Sequence, residues 1–391
     1  MGFFRNLRSR LGAEKQKIEE EGEEEAHLPR LSLDETLGSP DPEVRLHAVS
    51  AIGEIGKAAV PLLITALHDE SWRVRRGAAA GLIRIREPAV APMIQTFEGG
   101  RSDVRRELIR ALHLIGDTAF PSLVSALNSP SPEIRSGVIE TIGLMGGERR
   151  IEPLNKALSD EDPRVRAAAA RAYGYLPDDR AIPTLLLLFG DQEERVRNAA
   201  VQACTQLGAA AVPPLIQALQ GADPEIRLRI EEVMAEIGDT ARGKIVPLLQ
   251  HEDPIMRMTG IRILGRIRDL NTVSHLIGAL ADPDPEVRDG AIIALTGFGK
   301  AALPEVTAAF ESSENRIREG AMEILAGIGE PAVPTMVTYL RNEEPAVRRQ
   351  AAVVLGEIGS HEAHEPLTDL LRDSDPAVRR EAFLALEHLR R

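Results

Sequence analysis

The sequence predicts an all-α fold, a right-handed solenoid of about twelve stacked helix pairs, and three observations predict it. First, an arginine preceded by an apolar residue recurs at Arg45, Arg75, Arg105, Arg135, Arg166, Arg197, Arg227, Arg257, Arg288, Arg318, Arg348 and Arg379. Successive arginines are always 30 or 31 residues apart, the spacing of a structural repeat. Second, each arginine is followed by the same columns. Three residues on stands a small or aliphatic residue, Ala in eight units. Seven and ten residues on stand mostly large apolar residues, from Ile52 and Ile55 in the first unit to Leu386 and Leu389 in the last. These offsets fall on one stripe of a helix. Third, 43% of residues are hydrophobic but only 3% aromatic, and the chain holds 32 Gly and 26 Pro. Such a composition suits thin helical layers of Ala, Leu, Ile and Val, broken at short intervals.

Residues 1–30 precede the first unit, and residues 31–391 carry the repeats. In the start MGFFRNLRSRLG, Phe3, Phe4, Leu7 and Leu11, joined by Ile18, fall within an arc of about 100° on a helical wheel. Arg8 and Arg10 flank that arc and Arg5 lies opposite. This pattern predicts that residues 1–18 form an interfacial helix, making weak contact with an anionic membrane surface or docking on a partner. The acidic run Ile18–Glu25 is expected to be disordered. The apolar run Phe3–Phe4 is shorter than the roughly 7 residues a secretory signal needs. No uncharged apolar stretch is expected to approach the roughly 18 residues of a membrane span. The expected location is the cytoplasm, or the periphery of the inner face of the membrane.

Each unit reads as helix A, a turn, then helix B. Helix A opens near a proline in segments such as Pro61–Leu67, Pro121–Leu127 and Pro214–Leu219. Four residues before the repeated arginine stands Asp in six units, Asp41, Asp162, Asp223, Asp253, Asp284 and Asp375, with Pro next in eight. Asp caps free backbone N–H groups, and Pro at the first helical position has no N–H to leave unsatisfied. Gly56, Gly116, Gly208, Gly238 and Gly359 mark helix ends. One such pair cannot bury its apolar faces alone, so neighbouring units must stack.

The phrase D-x-D-P-x-V-R-x-x-A-A-x-A-L-G-x-I-G is nearly whole in Asp282–Gly299 and Asp373–Leu389. It resembles the short HEAT-like repeat named after phycobilisome bilin lyases, over residues 31–391. The resemblance implies a ladder between the cap carboxylate and the repeated arginine, joining neighbouring units. Glu193, Glu314 and Glu344 extend the acidic cap column, whereas Ser71, Arg101 and Ser131 depart from it. Units two to four are therefore expected to have the weakest ladder.

The resemblance extends to enzymes. Deoxyhypusine hydroxylase has a similar repeat and holds two irons on His-Glu dipeptides just after this arginine. Here those dipeptides run from Leu46–His47 to Arg380–Glu381, and none is His-Glu. Bilin lyases handle a chromophore, but no residue of this chain matches a specific motif of theirs. The HEAHE segment, His361–Glu365, reads as a solvated loop. Cys204 stands in a core column, and the lone cysteine excludes a disulfide framework. GFGKAA at Gly297 reads as a helix end. No catalytic residue, metal ligand or cofactor is expected. An enzyme of bilin-lyase or hydroxylase type and a nucleic-acid-binding solenoid are the alternatives.

The expected function is a non-catalytic scaffold that binds protein partners on a concave face lined by helix B. Residues one, two, five and nine after the repeated arginine should line it. In units two and three these include Arg76, Arg84, Arg106 and Arg110, and in units seven and eight Arg229, Arg262 and Arg266. Local arginine clusters on a chain of net charge −13 point to a partner with an acidic segment. A wholesale nucleic-acid binder should be basic, so no nucleic acid is expected. Trp72 and Tyr175 are further candidates for exposed contact residues.

Overall fold

The computed structural model describes residues 36–176 and 181–389, and among them there is helix and turn but no strand. The chain divides into two compact bodies between Leu207 and Gly208, which is the boundary between units six and seven. Each body is a stack of helix pairs. Helix B is the longer member, as in Trp72–Ile85, Ser102–Ile115 and Pro224–Ile237. Helix A is short, as in Val60–Ala66 and Phe120–Ala126.

Burial follows the columns. Every residue three and seven after the repeated arginine is buried, from Ala48 and Ile52 to Ala382 and Leu386. The column at ten is the outer edge of the core; most of its members are half-buried, and Ile55 is exposed. The small residues let helix B of one unit lie directly on the next. A Cβ built on Gly143 would stand 2.5 Å from the Ala172 Cβ, so a larger residue there would force the two helices apart. Cys204 is fully buried in its column, and burial pushes its thiol up to about 12.

Helix ends also follow the sequence. All six cap aspartates accept a backbone N–H; Asp284 accepts from Glu286 at 2.9 Å and Val287 at 3.4 Å. The caps Ser71, Arg101, Ser131, Glu314 and Glu344 make no such side-chain bond. The helix Pro285–Phe298 ends at Gly299, at φ +57°, where an L side chain would be strained. Among the described residues, two that are not glycine share the positive-φ region, Arg86 (φ 62°) and Arg268 (φ 55°).

Two expectations need correction. The ladder does not use the cap aspartate. Arg45, Arg135, Arg166, Arg257 and Arg348 each make a two-pronged bond to an Asp two residues before the next cap: Asp69, Asp160, Asp191, Asp282 and Asp373. The cap carboxylate is already turned toward its own helix's N–H groups. Unit four, expected to be weak, thus holds a full rung, Arg135 to Asp160, with the Arg135 side chain 8% exposed. The aspartate of the rung is missing where that column holds Gly99, Ser129, Gly221, His251, Ser312 or Asn342, although Arg75 still reaches Asp103 of the next unit at 3.4 Å and Arg105 reaches Glu140 at 3.0 Å. The arginine also staples its own turn: Arg75 donates through Nη1 to the Asp69 and Glu70 carbonyls, both at 2.8 Å.

The second correction concerns membrane spans. Glu194–Leu219 is long and apolar enough to cross a membrane by composition. It is two helices joined by the turn Gly208–Ala211, with Pro213 and Pro214 opening the second. Phe3, Phe4, Leu7, Leu11 and the acidic run lie outside the described residues.

Candidate functional site

Helix B of unit two, Trp72–Ile85, turns one stripe inward and another outward. Val74, Ala78 and Leu82 are buried. Trp72, Arg76, Ala80 and Arg84, four residues apart, share the outer stripe. Trp72, the sole tryptophan of the chain, is 60% exposed. Helix B of unit three, Ser102–Ile115, repeats the arrangement with Ser102, Arg106 and Arg110. Arg76 and Arg106 therefore occupy the same position in consecutive packed helices. Both are exposed.

The sequence placed Arg110 beside them as a third docking cation. The structure buries it, at 9% exposure. Its Nη1 donates to Glu107 Oε2 at 3.2 Å. At five residues after the repeated arginine, a long side chain folds onto its own helix and reaches the carboxylate one turn back. Its charge still acts locally. Burial and the Arg110 guanidinium push the Arg76 pKa down, while Glu107 opposes them. Arg84 stands 3.7 Å from Glu54. The next two units close the cluster off. Arg105 donates to Glu140 Oε2 and to Ser136 Oγ, both at 3.0 Å, with its guanidinium 5.5 Å from the Phe97 ring centre. Glu140 also lies 3.4 Å from Arg171.

The second cluster differs. Arg229 is half-buried, and its Nη2 donates to Glu225 Oε1 at 2.5 Å, one turn back. Arg262 is exposed but pairs at 2.9 Å with Glu231, which is 1% exposed. Arg266, also exposed, acts electrostatically on the same carboxylate. Burial pushes the Glu231 pKa up, and Arg262, Arg266 and Arg227 oppose that shift. Glu231 was not singled out by sequence reasoning. The signal was there: it stands four after the repeated arginine, where the other units hold Val49, Ala79, Ile109 and other apolar residues.

The remaining candidates stay apart. Tyr175 is half-buried, with its hydroxyl engaged by Gln206, so it is no free contact residue. His361, Glu362, His364 and Glu365 are exposed around a short turn. Among the described residues no three His, Cys, Asp or Glu are grouped to hold a metal ion.

The HEAT repeats family model matches residues 32–98, 90–160, 151–215, 212–296, 273–343 and 303–387. No match is found among curated proteins. Among solved structures, importin beta is 13% identical, with 91% of this chain and 62% of that chain covered, at a TM-score of 0.40. Kap121p bound to Ste12p is 17% identical, with 93% and 45% covered and a TM-score of 0.36. Human deoxyhypusine hydroxylase in complex with glycerol is 22% identical, with 74% and 98% covered and a TM-score of 0.25.

Proposed function

The chain belongs to the HEAT repeat family, and we propose that it works as a non-catalytic scaffold that docks an acidic segment of a partner protein on the exposed face of helix B. One observation carries the reading. Arg76 and Arg106 are exposed at the same position of consecutive helices, on a chain whose net charge is −13. Exposed cations on a chain of the opposite net charge steer and orient a complementary partner. The buried Cys204, with its raised pKa, supports a core role rather than that of a nucleophile. The phrase at Asp282–Gly299 supports the phycobilisome-lyase type of repeat. An enzyme of that type, or of hydroxylase type, would show bound chromophore or metal in the absorption spectrum of the purified protein.

The reading includes a cytoplasmic location and contact of residues 1–18 with a membrane surface or a partner, both from sequence. Co-sedimentation with anionic vesicles tests the membrane part: full chain and a chain lacking residues 1–18 should differ at low salt. The scaffold reading itself is tested by pull-down with mass spectrometry. The double variant Arg76→Ser/Arg106→Ser should lose partners that wild type captures. Arg110 is left alone because its removal would strip a buried pairing from Glu107. Capture unchanged by the double variant would overturn the reading.

A further inference from the structure

Between units nine and ten both halves of a rung are set and only the anion is missing. Completed rungs share two sets of bonds. The arginine's Nη1 staples its own turn, as Arg257 does to the His251 carbonyl at 2.9 Å and the Glu252 carbonyl at 3.0 Å. The acceptor aspartate takes the backbone N–H of the cap two residues on, as Asp282 Oδ1 does from Asp284 at 2.9 Å. Nε and Nη2 of Arg257 then meet the Asp282 carboxylate at 2.7 and 2.8 Å.

Arg288 and Ser312 hold those same poses. Arg288 Nη1 donates to the Asp282 carbonyl at 2.8 Å and the Pro283 carbonyl at 3.1 Å. Ser312 Oγ accepts the N–H of Glu314 at 3.2 Å. Their helices pack closely, Pro285–Phe298 on Asn315–Ile328, since a Cβ built on Gly327 would stand 2.9 Å from Thr296 Cγ2. Among the described residues, Nε and Nη2 of Arg288 have no hydrogen-bond partner. A second guanidinium serves the same turn: Arg318 Nη1 donates to the Ser312 carbonyl at 2.6 Å. Around Ser312, residues Glu311, Ser313, Glu314 and Asn315 are exposed.

We infer that Ser312 is a phosphorylation site, whose phosphate takes the place of the ladder aspartate and joins units nine and ten through Arg288. The Ser312 Oγ attacks the terminal phosphorus of a nucleoside triphosphate held by a serine kinase. The O–P bond forms as the bond to the nucleoside diphosphate breaks, and the hydroxyl proton passes to a base of the kinase. The product carries a charge of about −1.5 to −2 and three acceptor oxygens, two of which match the Arg288 fork. Glu311 and Glu314 flank the serine, which suits a kinase with a basic substrate groove.

Ser129 supplies the contrast. Its Oγ accepts the Ser131 N–H at 3.2 Å, as Ser312 does from Glu314. Its arginine is already engaged, with Arg105 Nε on Glu140 and Nη2 on Ser136. A phosphate at 129 finds no waiting fork.

The test uses the full chain with phosphoserine incorporated at 312 or at 129. Phosphate at 312 should raise the melting temperature by about 2–4 °C, and phosphate at 129 by less than about 1 °C. Arg288→Gln should remove the gain. Phosphorus NMR adds a readout independent of stability: Arg288 favours the dianion, so the second ionisation at 312 should lie about one unit below that at 129. Equal melts with and without phosphate at 312, a gain that survives Arg288→Gln, or equal ionisation at the two sites would overturn the rung. Peptide mass spectrometry of the chain isolated from its own cells should find phosphate on Ser312. Its absence, or phosphate on Ser313 alone, would overturn the modification.

Discussion

Units two and three and units seven and eight each carry arginines among the helix-B positions one, two, five and nine after the repeated arginine, yet their chemistry differs. In the first pair, Arg76 and Arg106 face outward, and the nearby carboxylate Glu107 is engaged by the buried Arg110. In the second, Glu225 binds Arg229 and the buried Glu231 binds Arg262. What separates an outward-facing cluster from a self-contained one is where the nearest carboxylate sits and which arginine it serves. The ladder obeys the same rule. Arg135 finds Asp160, while Arg227 has His251 in that column and its Nε is buried without a hydrogen-bond partner among the described residues.

The largest expected effect concerns that ladder contrast. Arg135→Ala should cost about 3 kcal/mol, because it strands a shielded carboxylate and two carbonyls. Arg227→Ala, which loses one bond to the Ala222 carbonyl, should cost about 1 kcal/mol. Urea unfolding of both variants measures the gap; equal losses would break the comparison. The ladder also sets an acid limit. The bond from Arg45 holds the Asp69 carboxyl below its ordinary value, and that from Arg348 does the same for Asp373. A lowered folded pKa gives stability that is present above the unfolded value and lost as pH falls through the folded one. Thermal melts should therefore fall steadily below about pH 4.

Next comes binding. Arg76→Ser/Arg106→Ser should weaken an acidic peptide by about tenfold, two exposed contacts at about 0.7 kcal/mol each. Arg229→Ser/Arg262→Ser should weaken it by less than about threefold, because those groups are already paired. Titration of both variants with one peptide checks this, and similar losses would erase the distinction between the clusters.

A smaller effect concerns the two arginines at positive φ. Each ends helix B of a unit that carries one of the clusters. Arg268→Gly should stabilise the second body by about 1 kcal/mol, read as a raised melting temperature. No gain would mean that the arginine side chain makes compensating contacts.

The smallest effect sharpens the comparison from the other side. Glu231→Gln removes the charge facing Arg262 and should strengthen acidic-peptide binding at the second cluster by about threefold. Its pH signature has a definite sign. A carboxyl whose folded pKa is raised contributes stability at low pH that is lost as pH rises through the folded value. The variant should match wild type near pH 4 and be the more stable of the two above it. Parallel pH profiles would show that Glu231 titrates as it does in the unfolded chain.

The repeat, the helix pairs, the buried columns and the aspartate caps are legible in residue order alone. Each is a local rule repeated at one period, so Ala48, Ile52 and Asp41 could be read in the same way as Ala382, Leu386 and Asp375. Which carboxylate each arginine meets is set by how the helices pack. The ladder acceptor lies two residues before the cap because the cap aspartate is held by its own helix. Arg110 is buried because Glu107 is one turn back. Glu231 silences Arg262 from a neighbouring helix. These pairings join residues about 25 to 30 apart, or turn on a choice among nearby rotamers, and composition and periodicity are blind to both. Interhelical packing settles such contacts.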